Sequence, residues 1–153
     1  MAGTFSQIYI QAVFAVKGRE NLLQKEWHGD VFKYMSGIIA NKDQKPIIVN
    51  GVSDHVHLFI GLKPSMALSD LMREVKNNTS NFINEQKWLK QKFNWQEEFG
   101  AFSYSHSHID KVYKYVLNQE EHHKKKTFRE EYIGLLNKFE IPHEERFLFE
   151  WIE

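Results

Sequence analysis

The chain has 153 residues, of which 42% are hydrophobic and 14% aromatic, a composition typical of a folded domain rather than a disordered chain. Twenty basic and twenty acidic residues cancel, which argues against strong non-specific binding to nucleic acid but leaves room for a small specific footprint. The absence of cysteine excludes disulfides and thiolate metal sites. No apolar run approaches the roughly 20 residues that span a bilayer, and the first five residues do not resemble a signal peptide, so we expect a cytoplasmic protein.

The apolar pattern along the chain predicts alternating strands and helices. In chain order the predicted elements are a strand at 5–16, a helix at 22–40, strands at 46–52 and 55–62, a helix at 67–89, a strand at 101–107, and helices at 108–123 and 127–139. This order is that of an α+β, ferredoxin-like βαββαβ fold, an antiparallel sheet with both crossover helices on one face. Since no repeat or linker interrupts it, we predict a single domain over 1–153, with a core at about 5–123 and a helical C-terminal extension at about 124–153.

The third predicted strand carries two histidines, His55 and His57, separated by one residue. Alternate residues of a strand point to the same face, so the two imidazoles share one face while Val56 and Leu58 share the other. We expect the apolar side to meet the helices and the imidazoles to lie on the open face, where they could hold a metal ion. Two surface histidines would give the same pattern, and the neighbouring Asp54 could either orient an imidazole or form the turn.

The helix predicted at 108–123 carries a tyrosine, Tyr115, on its polar side. On a helical wheel Tyr115 lies nearly opposite an apolar side formed by Ile109, Tyr113, Val116 and Leu117. Four polar residues fall within about 40° of Tyr115 on that wheel. They are His108, Lys111, Gln119 and His122. One polar stripe therefore presents a tyrosine with a lysine one turn before it and an amide one turn after it.

The strand His55-Val56-His57, followed by a helix that carries Tyr115 and Gln119 as Tyr-x-x-x-Gln, resembles a known family. It is the family of single-tyrosine HUH transposases of small bacterial insertion sequences, the IS-two-hundred and IS-six-hundred-and-five group. The segment 95–103 also resembles the approach to that family's last core strand. The resemblance covers about residues 5–123 and implies an enzyme of DNA transposition, which cleaves and rejoins single-stranded DNA at the hairpin ends of an insertion sequence.

The resemblance also implies the roles of individual residues. Tyr115 is the expected catalytic nucleophile, giving a 5′-phosphotyrosine and a free 3′-hydroxyl. His55, His57 and Gln119 are the expected ligands of Mg²⁺ or Mn²⁺, and His122 on the same stripe is an alternative third ligand. Two imidazoles and an amide oxygen suit a divalent ion that keeps positions open for substrate oxygens.

The sequence also leads to predictions of the residues that contact DNA and of the oligomeric state. Four basic residues are the expected DNA contacts, namely Arg73 and Lys76 on the second helix and Lys111 and Lys114 on the tyrosine helix. The resemblance implies a homodimer in which the tyrosine helix of one subunit completes the histidine site of the other. The third or the first strand, if either lies at a sheet edge, could pair with its twin across a two-fold axis.

Two other functions are compatible with the sequence. One is a domesticated relative that acts on repeats of its host without transposing. The other is a non-catalytic module that binds single-stranded nucleic acid on a ferredoxin-like sheet. The predicted strands show no aromatic signature of such a module. A binding module would also leave the paired histidines and Tyr115 without an explanation.

Overall fold

A computed structural model describes residues 3–18 and 21–151 and contains a four-stranded antiparallel sheet. The strands are β1 (Tyr9–Ala15), β2 (Lys45–Gly51), β3 (His55–Gly61) and β4 (Gly100–Tyr104). Two long helices, α1 (Lys25–Asn41) and α2 (Leu68–Gln86), connect β1 to β2 and β3 to β4. The strands lie in the order β2-β3-β1-β4. This arrangement confirms the predicted α+β, βαββαβ fold.

Three further helices follow β4: α3 (Ile109–Leu117), α4 (Gln119–His122) and α5 (Phe128–Lys138). The single helix predicted at 108–123 is thus divided at Asn118, whose backbone has φ −96° and ψ 24°. Asparagine favours helix ends because its side chain competes for backbone hydrogen bonds. Within the described residues, no helix combines the length and the apolar character needed to cross a membrane.

One face of the sheet packs under α1 and α2, as predicted. Val56, Leu58 and Ile60 of β3 are fully buried, in the same apolar cluster as Met35 of α1 and Val75 of α2. Burying such side chains contributes about 1.5–3 kcal/mol each. This layer fixes the register of β3 and therefore sends its histidines to the opposite face.

The opposite face of the sheet is not open, and that expectation was wrong. Helix α3 packs Val112 and Val116 against Phe59 of β3. Helix α5 places the ring of Phe128 parallel to the imidazole of His55, with ring centroids 3.8 Å apart. Both strand histidines are consequently fully buried.

The apolar side predicted for the tyrosine helix was only partly right. Val112 and Val116, one turn apart, are its buried residues. Tyr113 and Leu117, assigned to the apolar side from sequence, are 39% and 52% exposed. Helix α3 contacts β2 and β3 through the side that carries Val112 and Val116, so Tyr113 and Leu117 lie off that side and stay exposed.

The C-terminal extension contributes to the main apolar cluster. Thr127 begins α5 with a capping box, in which its hydroxyl accepts from the Glu130 amide and the Glu130 carboxylate accepts from the Thr127 amide. Phe128, Tyr132 and Phe149 are buried together in the same cluster as the strands. The described part of the extension is therefore packed into the fold rather than appended to it.

Truncating Phe149 tests whether the extension stabilises the whole fold. Phe149 is 3% exposed, and Phe149→Ala is expected to cost about 3–5 kcal/mol of unfolding free energy, because a large buried side chain leaves a cavity. Phe147→Ala is the matched control, since Phe147 is 64% exposed. Urea unfolding followed by circular dichroism measures both, and equal small losses would show that the extension is energetically separate.

The edges of the sheet are β2 and β4, while β1 and β3 are its central strands. The condition for pairing of the first or third strand with its twin, a place at a sheet edge, is not met, because both strands already have neighbours on each side. Any sheet that continued between two copies would use β2 or β4.

Candidate metal and tyrosine site

The two strand histidines are oriented by neighbours behind their rings. His55 Nδ1 bonds to a carboxylate oxygen of Asp54 at 2.7 Å, so Asp54 does contact the imidazole beside it. His57 Nδ1 lies 2.9 Å from the side-chain amide of Gln11, whose oxygen accepts from the hydroxyl of Tyr104 at 2.7 Å. These contacts leave the Nε2 atoms of both rings directed toward one point.

A carboxylate from α5 occupies that point. Glu131 is 3% exposed, and its Oε1 lies 3.1 Å from Nε2 of His55 and 3.0 Å from Nε2 of His57. His123, just after α4, contributes a third imidazole, with its Nε2 3.1 Å from the same oxygen. Three imidazole nitrogens thus converge on one carboxylate oxygen.

The tyrosine and the amide of the Tyr-x-x-x-Gln motif reach the other oxygen of this carboxylate. Tyr115 donates a short hydrogen bond to Glu131 Oε2, and Gln119 Nε2 donates to it at 3.1 Å. The rings of Tyr115 and His57 are 5.9 Å apart. The structure therefore brings together all four residues of the predicted catalytic and metal set, His55, His57, Tyr115 and Gln119.

The tyrosine helix reaches the histidines of its own chain. A short turn at 106–108 leads from β4 directly into α3, which folds back over β2 and β3. Asn50 of β2 fixes the end of α3, because its amide donates to the carbonyls of Val116 and Leu117, each at 3.0 Å. In this structure one chain brings its own tyrosine helix to its own histidines, and a tyrosine helix supplied by a second subunit stays a prediction from the family resemblance.

Burial and hydrogen bonding set the charge of the cluster without a metal. Burial alone would lower the pKa of His55, but its hydrogen bonds to Asp54 and Glu131 outweigh burial and raise the pKa to about 9. Burial lowers the pKa of His57. Burial raises the pKa of Glu131, but the three imidazoles around it prevail and hold that pKa far below the usual range. At neutral pH the site therefore contains an ionised carboxylate beside a cationic His55.

The nucleophile candidate is held in its protonated form. Burial, and then the negative charge of Glu131, raise the pKa of Tyr115 well above that of a free tyrosine. A protonated hydroxyl is a weak nucleophile, so chemistry at Tyr115 needs positive charge nearby or a base to accept its proton.

The donor atoms of this cluster fit a divalent metal ion. Within the described residues, one ligand atom each from His55, His57, His123 and Glu131 lie within 4.8 Å of one another. Imidazole nitrogens and carboxylate oxygens are common ligands of divalent transition ions. Within this chain, the metal site expected from the sequence thus has a suitable donor set.

Sequence reasoning missed two members of the cluster, Glu131 and His123. The wheel for one continuous helix selected His122, whose Nε2 does lie 3.5 Å from Glu131 Oε2, but it did not select His123, whose Nε2 lies 3.1 Å from Glu131 Oε1 beside the strand histidines. Glu131 had a detectable signal, because it interrupts the apolar face of α5 between Phe128 and Leu135. An acidic residue on a buried helix face is almost always paired with a hydrogen-bond donor or a positive charge.

A cavity of about 390 Å³ opens beside Tyr115. The tyrosine stripe predicted from the sequence faces it, since His108, Lys111 and His122 line it together with Tyr115. Its basic residues are Lys111, Lys126 and Lys138. Lys114, the other basic residue predicted on this helix, is exposed and does not line the cavity.

The two DNA contacts predicted on α2 lie on the opposite side of the sheet from Tyr115. The ammonium of Lys76 donates to the carbonyls of Gln96, Glu97 and Glu98 at 2.8, 2.9 and 2.8 Å, and burial lowers its pKa to about 8. This placement argues against Lys76 as a DNA contact, because its donors already hold a loop of the protein. Arg73 is exposed and pairs with Asp70 at 3.0 Å.

Comparison with known proteins agrees with this geometry. A protein of Deinococcus radiodurans R1, itself described as a transposase by inference only, superposes with a TM-score of 0.64 at 18% identity, covering 78% of this chain and 95% of its own. A REP-associated tyrosine transposase, solved bound to a REP hairpin, gives a TM-score of 0.59 at 13% identity, covering 80% of this chain and 74% of its own. A search of curated proteins gives no match. The family model described as "Transposase IS200 like" matches residues 4–119, and the chain belongs to this transposase family.

Proposed function

We propose that this transposase cleaves and rejoins single-stranded DNA through a covalent 5′-phosphotyrosine formed by Tyr115. One observation carries the proposal: the Tyr115 hydroxyl and three imidazoles contact the same buried carboxylate of Glu131. The tyrosine of the Tyr-x-x-x-Gln motif therefore lies next to the cluster of three histidines and Glu131 that fits a divalent ion. Membership of the family supports DNA processing as the reaction class.

The covalent step is a transfer of a phosphodiester to tyrosine. The Tyr115 oxygen attacks phosphorus, a P–Oη bond forms and the bond from phosphorus to the 3′ oxygen breaks. In the structure the Tyr115 hydroxyl donates to Glu131 Oε2. Rotated toward His122 Nε2, which lies 3.5 Å from the Tyr115 oxygen, the hydroxyl can give its proton to this imidazole, whose pKa is lowered by burial, and the imidazole passes the proton to the departing 3′ oxygen. The new linkage keeps the bond energy, so a second 3′-hydroxyl can reverse the step and join another strand.

The remaining residues hold the reacting groups in place. Asp54 and Gln11 fix the orientation of His55 and His57. His55 and His57 would hold Mg²⁺ or Mn²⁺, which would supply positive charge to stabilise the phosphoryl oxygens as negative charge builds on them. The raised pKa of Tyr115 is consistent with this need, because a buried tyrosine beside a carboxylate is inactive without a compensating charge.

Single-stranded DNA is the proposed substrate. The cavity beside Tyr115 has three lysines, Lys111, Lys126 and Lys138, that can neutralise backbone phosphates flanking the attacked one. One structural neighbour was solved with a REP hairpin, and on that basis we propose a hairpin near the cleaved position. A cytoplasmic location stays a prediction from the sequence.

A covalent band separates the proposed enzyme from a module that only binds nucleic acid. The protein is incubated with single-stranded oligonucleotides and Mn²⁺, then run on a denaturing gel. We expect a species that carries both protein and DNA. A mobility shift on a native gel without any denaturant-stable adduct would instead support the binding module. A domesticated relative would give the same adduct and is distinguished by whether insertion-sequence ends flank its gene.

We propose that each chain carries its own complete site, even if it forms the homodimer that the family resemblance implies. Mixing Tyr115→Phe with His57→Gln, each inactive alone, is then expected to give no recovery of cleavage, because no mixed dimer contains an intact single-chain site. Subunit exchange is checked with two differently tagged copies. Cleavage restored to about a quarter of the wild-type level after complete exchange would show that the tyrosine acts on the partner's histidines, because about half of the dimers are mixed and each has one intact site of two.

A further inference from the structure

Glu131 lies outside residues 4–119, the part of the chain that matches the family model, yet it is the centre of the candidate site. We propose that Glu131 and His123 are themselves metal ligands, which together with His55 and His57 form a centre of three imidazoles and one carboxylate that prefers Mn²⁺ to Mg²⁺. The inference rests on the proposed function, because it assigns the ligands and the ion of the same site.

The spacing of the donor atoms, which is that of hydrogen bonds between Glu131 and the imidazoles, is also compatible with Glu131 as a ligand. Two ligands at right angles on an ion with bonds of about 2.1 Å lie about 3.0 Å apart. Glu131 Oε1 lies 3.0 to 3.1 Å from Nε2 of His55, His57 and His123. The carboxylate oxygen therefore already has the separation from each imidazole that a neighbouring ligand needs.

Two of the imidazoles, those of His55 and His123, are also held from behind in the way that metal ligands usually are. His123 Nδ1 donates to the carbonyl of Lys126 at 2.8 Å, so Nε2 is the ring nitrogen directed at the cluster. Asp54 holds the ring of His55 in the same manner. Tyr115 and Gln119 donate to Glu131 Oε2, and this leaves Glu131 Oε1 facing the imidazoles.

In the alternative ligand set, Gln119 joins the two strand histidines, and the ion must displace Glu131 in order to bind. In the structure the Gln119 amide is engaged on both sides, with Nε2 donating to Glu131 and Oε1 lying 3.0 Å from His123 Nε2. This arrangement suits an amide that positions two ligands. The two sets predict opposite effects of removing the carboxylate, because a ligand strengthens metal binding and a displaced group weakens it.

The donor set also predicts the preferred ion. Mg²⁺ favours oxygen ligands and keeps several waters, whereas imidazole suits divalent transition ions. Three imidazoles and one carboxylate from a buried cluster leave Mg²⁺ with a poor ligand set. Mn²⁺, which accepts both imidazole and carboxylate, is therefore the expected choice of the two ions named from the sequence.

Isothermal titration calorimetry on the full chain, without DNA, tests the assignment. We expect Mn²⁺ to bind at least about tenfold more tightly than Mg²⁺, and Glu131→Gln and His123→Gln each to weaken Mn²⁺ binding by about tenfold or more. Glu121→Gln removes an equal charge from an exposed position outside the cluster, so it should bind Mn²⁺ like the wild type. Unchanged or tighter binding by folded Glu131→Gln would overturn the inference, as would equal affinity for the two ions.

A spectroscopic count of ligands covers the case in which a variant does not fold. Pulsed electron paramagnetic resonance of Mn²⁺ bound to wild-type protein with ¹⁵N-labelled histidine is expected to show three coordinated imidazoles, and two would contradict the inference. Adduct formation with DNA is measured separately. A wild type that forms the adduct but shows two imidazoles overturns the ligand set alone, whereas a wild type that binds Mn²⁺ through three imidazoles and forms no adduct overturns the proposed function alone.

Discussion

Tyr115→Phe is expected to abolish the covalent DNA adduct, with a loss on the order of a thousandfold or more, because it removes the only atom that forms the new bond to phosphorus. The ring remains, so its contacts with His57 and His122 are preserved. The variant gives up a hydrogen bond to Glu131 and should stay folded, since such a bond contributes about 1.5–3 kcal/mol. Denaturing gels quantify the adduct and circular dichroism checks the fold.

The chain offers a matched control two residues away. Tyr113→Phe makes the same chemical change on the same helix, but Tyr113 is 39% exposed and does not contact the cluster, so adduct formation should be unchanged. A normal adduct in Tyr115→Phe would move the nucleophile elsewhere. Tyr104 would then be the next candidate, since it also lines the cavity.

Removal of the metal by EDTA is expected to reduce cleavage to background, and added Mn²⁺ to restore it. The physical reason is the partly buried Tyr115 hydroxyl, whose raised pKa keeps it protonated unless positive charge is placed nearby. Cleavage is followed over a range of EDTA and Mn²⁺ concentrations with the oligonucleotide in excess. Undiminished cleavage in excess EDTA would contradict a metal-dependent mechanism.

Substitutions of the strand histidines should give the same loss of cleavage but need a check of folding. His55 and His57 are fully buried and both contact Glu131, so removing either imidazole leaves the carboxylate less well paired. Breaking a buried pair in this way costs about 3–5 kcal/mol. His57→Gln retains a hydrogen-bonding group and is preferable to His57→Ala for that reason, with thermal unfolding as the control.

The sequence was sufficient for the parts of the site that lie on regular, strongly patterned elements. Alternation along β3 placed His55 and His57 on one face and Leu58 on the other, and the structure has that arrangement. Helical spacing placed Lys111 and His108 on the stripe of Tyr115, and all three line one cavity. In both cases a local period decides where a side chain points.

The parts that could not be predicted depend on tertiary folding. The helix divides at Asn118, and the turn that follows brings His123 as well as His122 to the carboxylate of Glu131, with His123 at the oxygen that the strand histidines contact. The covering of the histidine face by α3 and α5 arises from contacts such as Phe128 on His55, between residues far apart in the chain. Nothing local to Glu131 indicates that its carboxylate meets three imidazoles from two other segments.

The central claim is a 5′-phosphotyrosine on Tyr115, and end-labelling of the DNA tests it most directly. A single-stranded oligonucleotide that is cleaved is labelled at its 3′ end in one sample and at its 5′ end in another, then incubated with protein and Mn²⁺. The account predicts that only the 3′-end label becomes attached to protein, that the 5′-end label appears in a shorter strand with a free 3′-hydroxyl, and that mass spectrometry finds the nucleotide on Tyr115. Attachment of the 5′-end label, or a modified residue other than Tyr115, would contradict it.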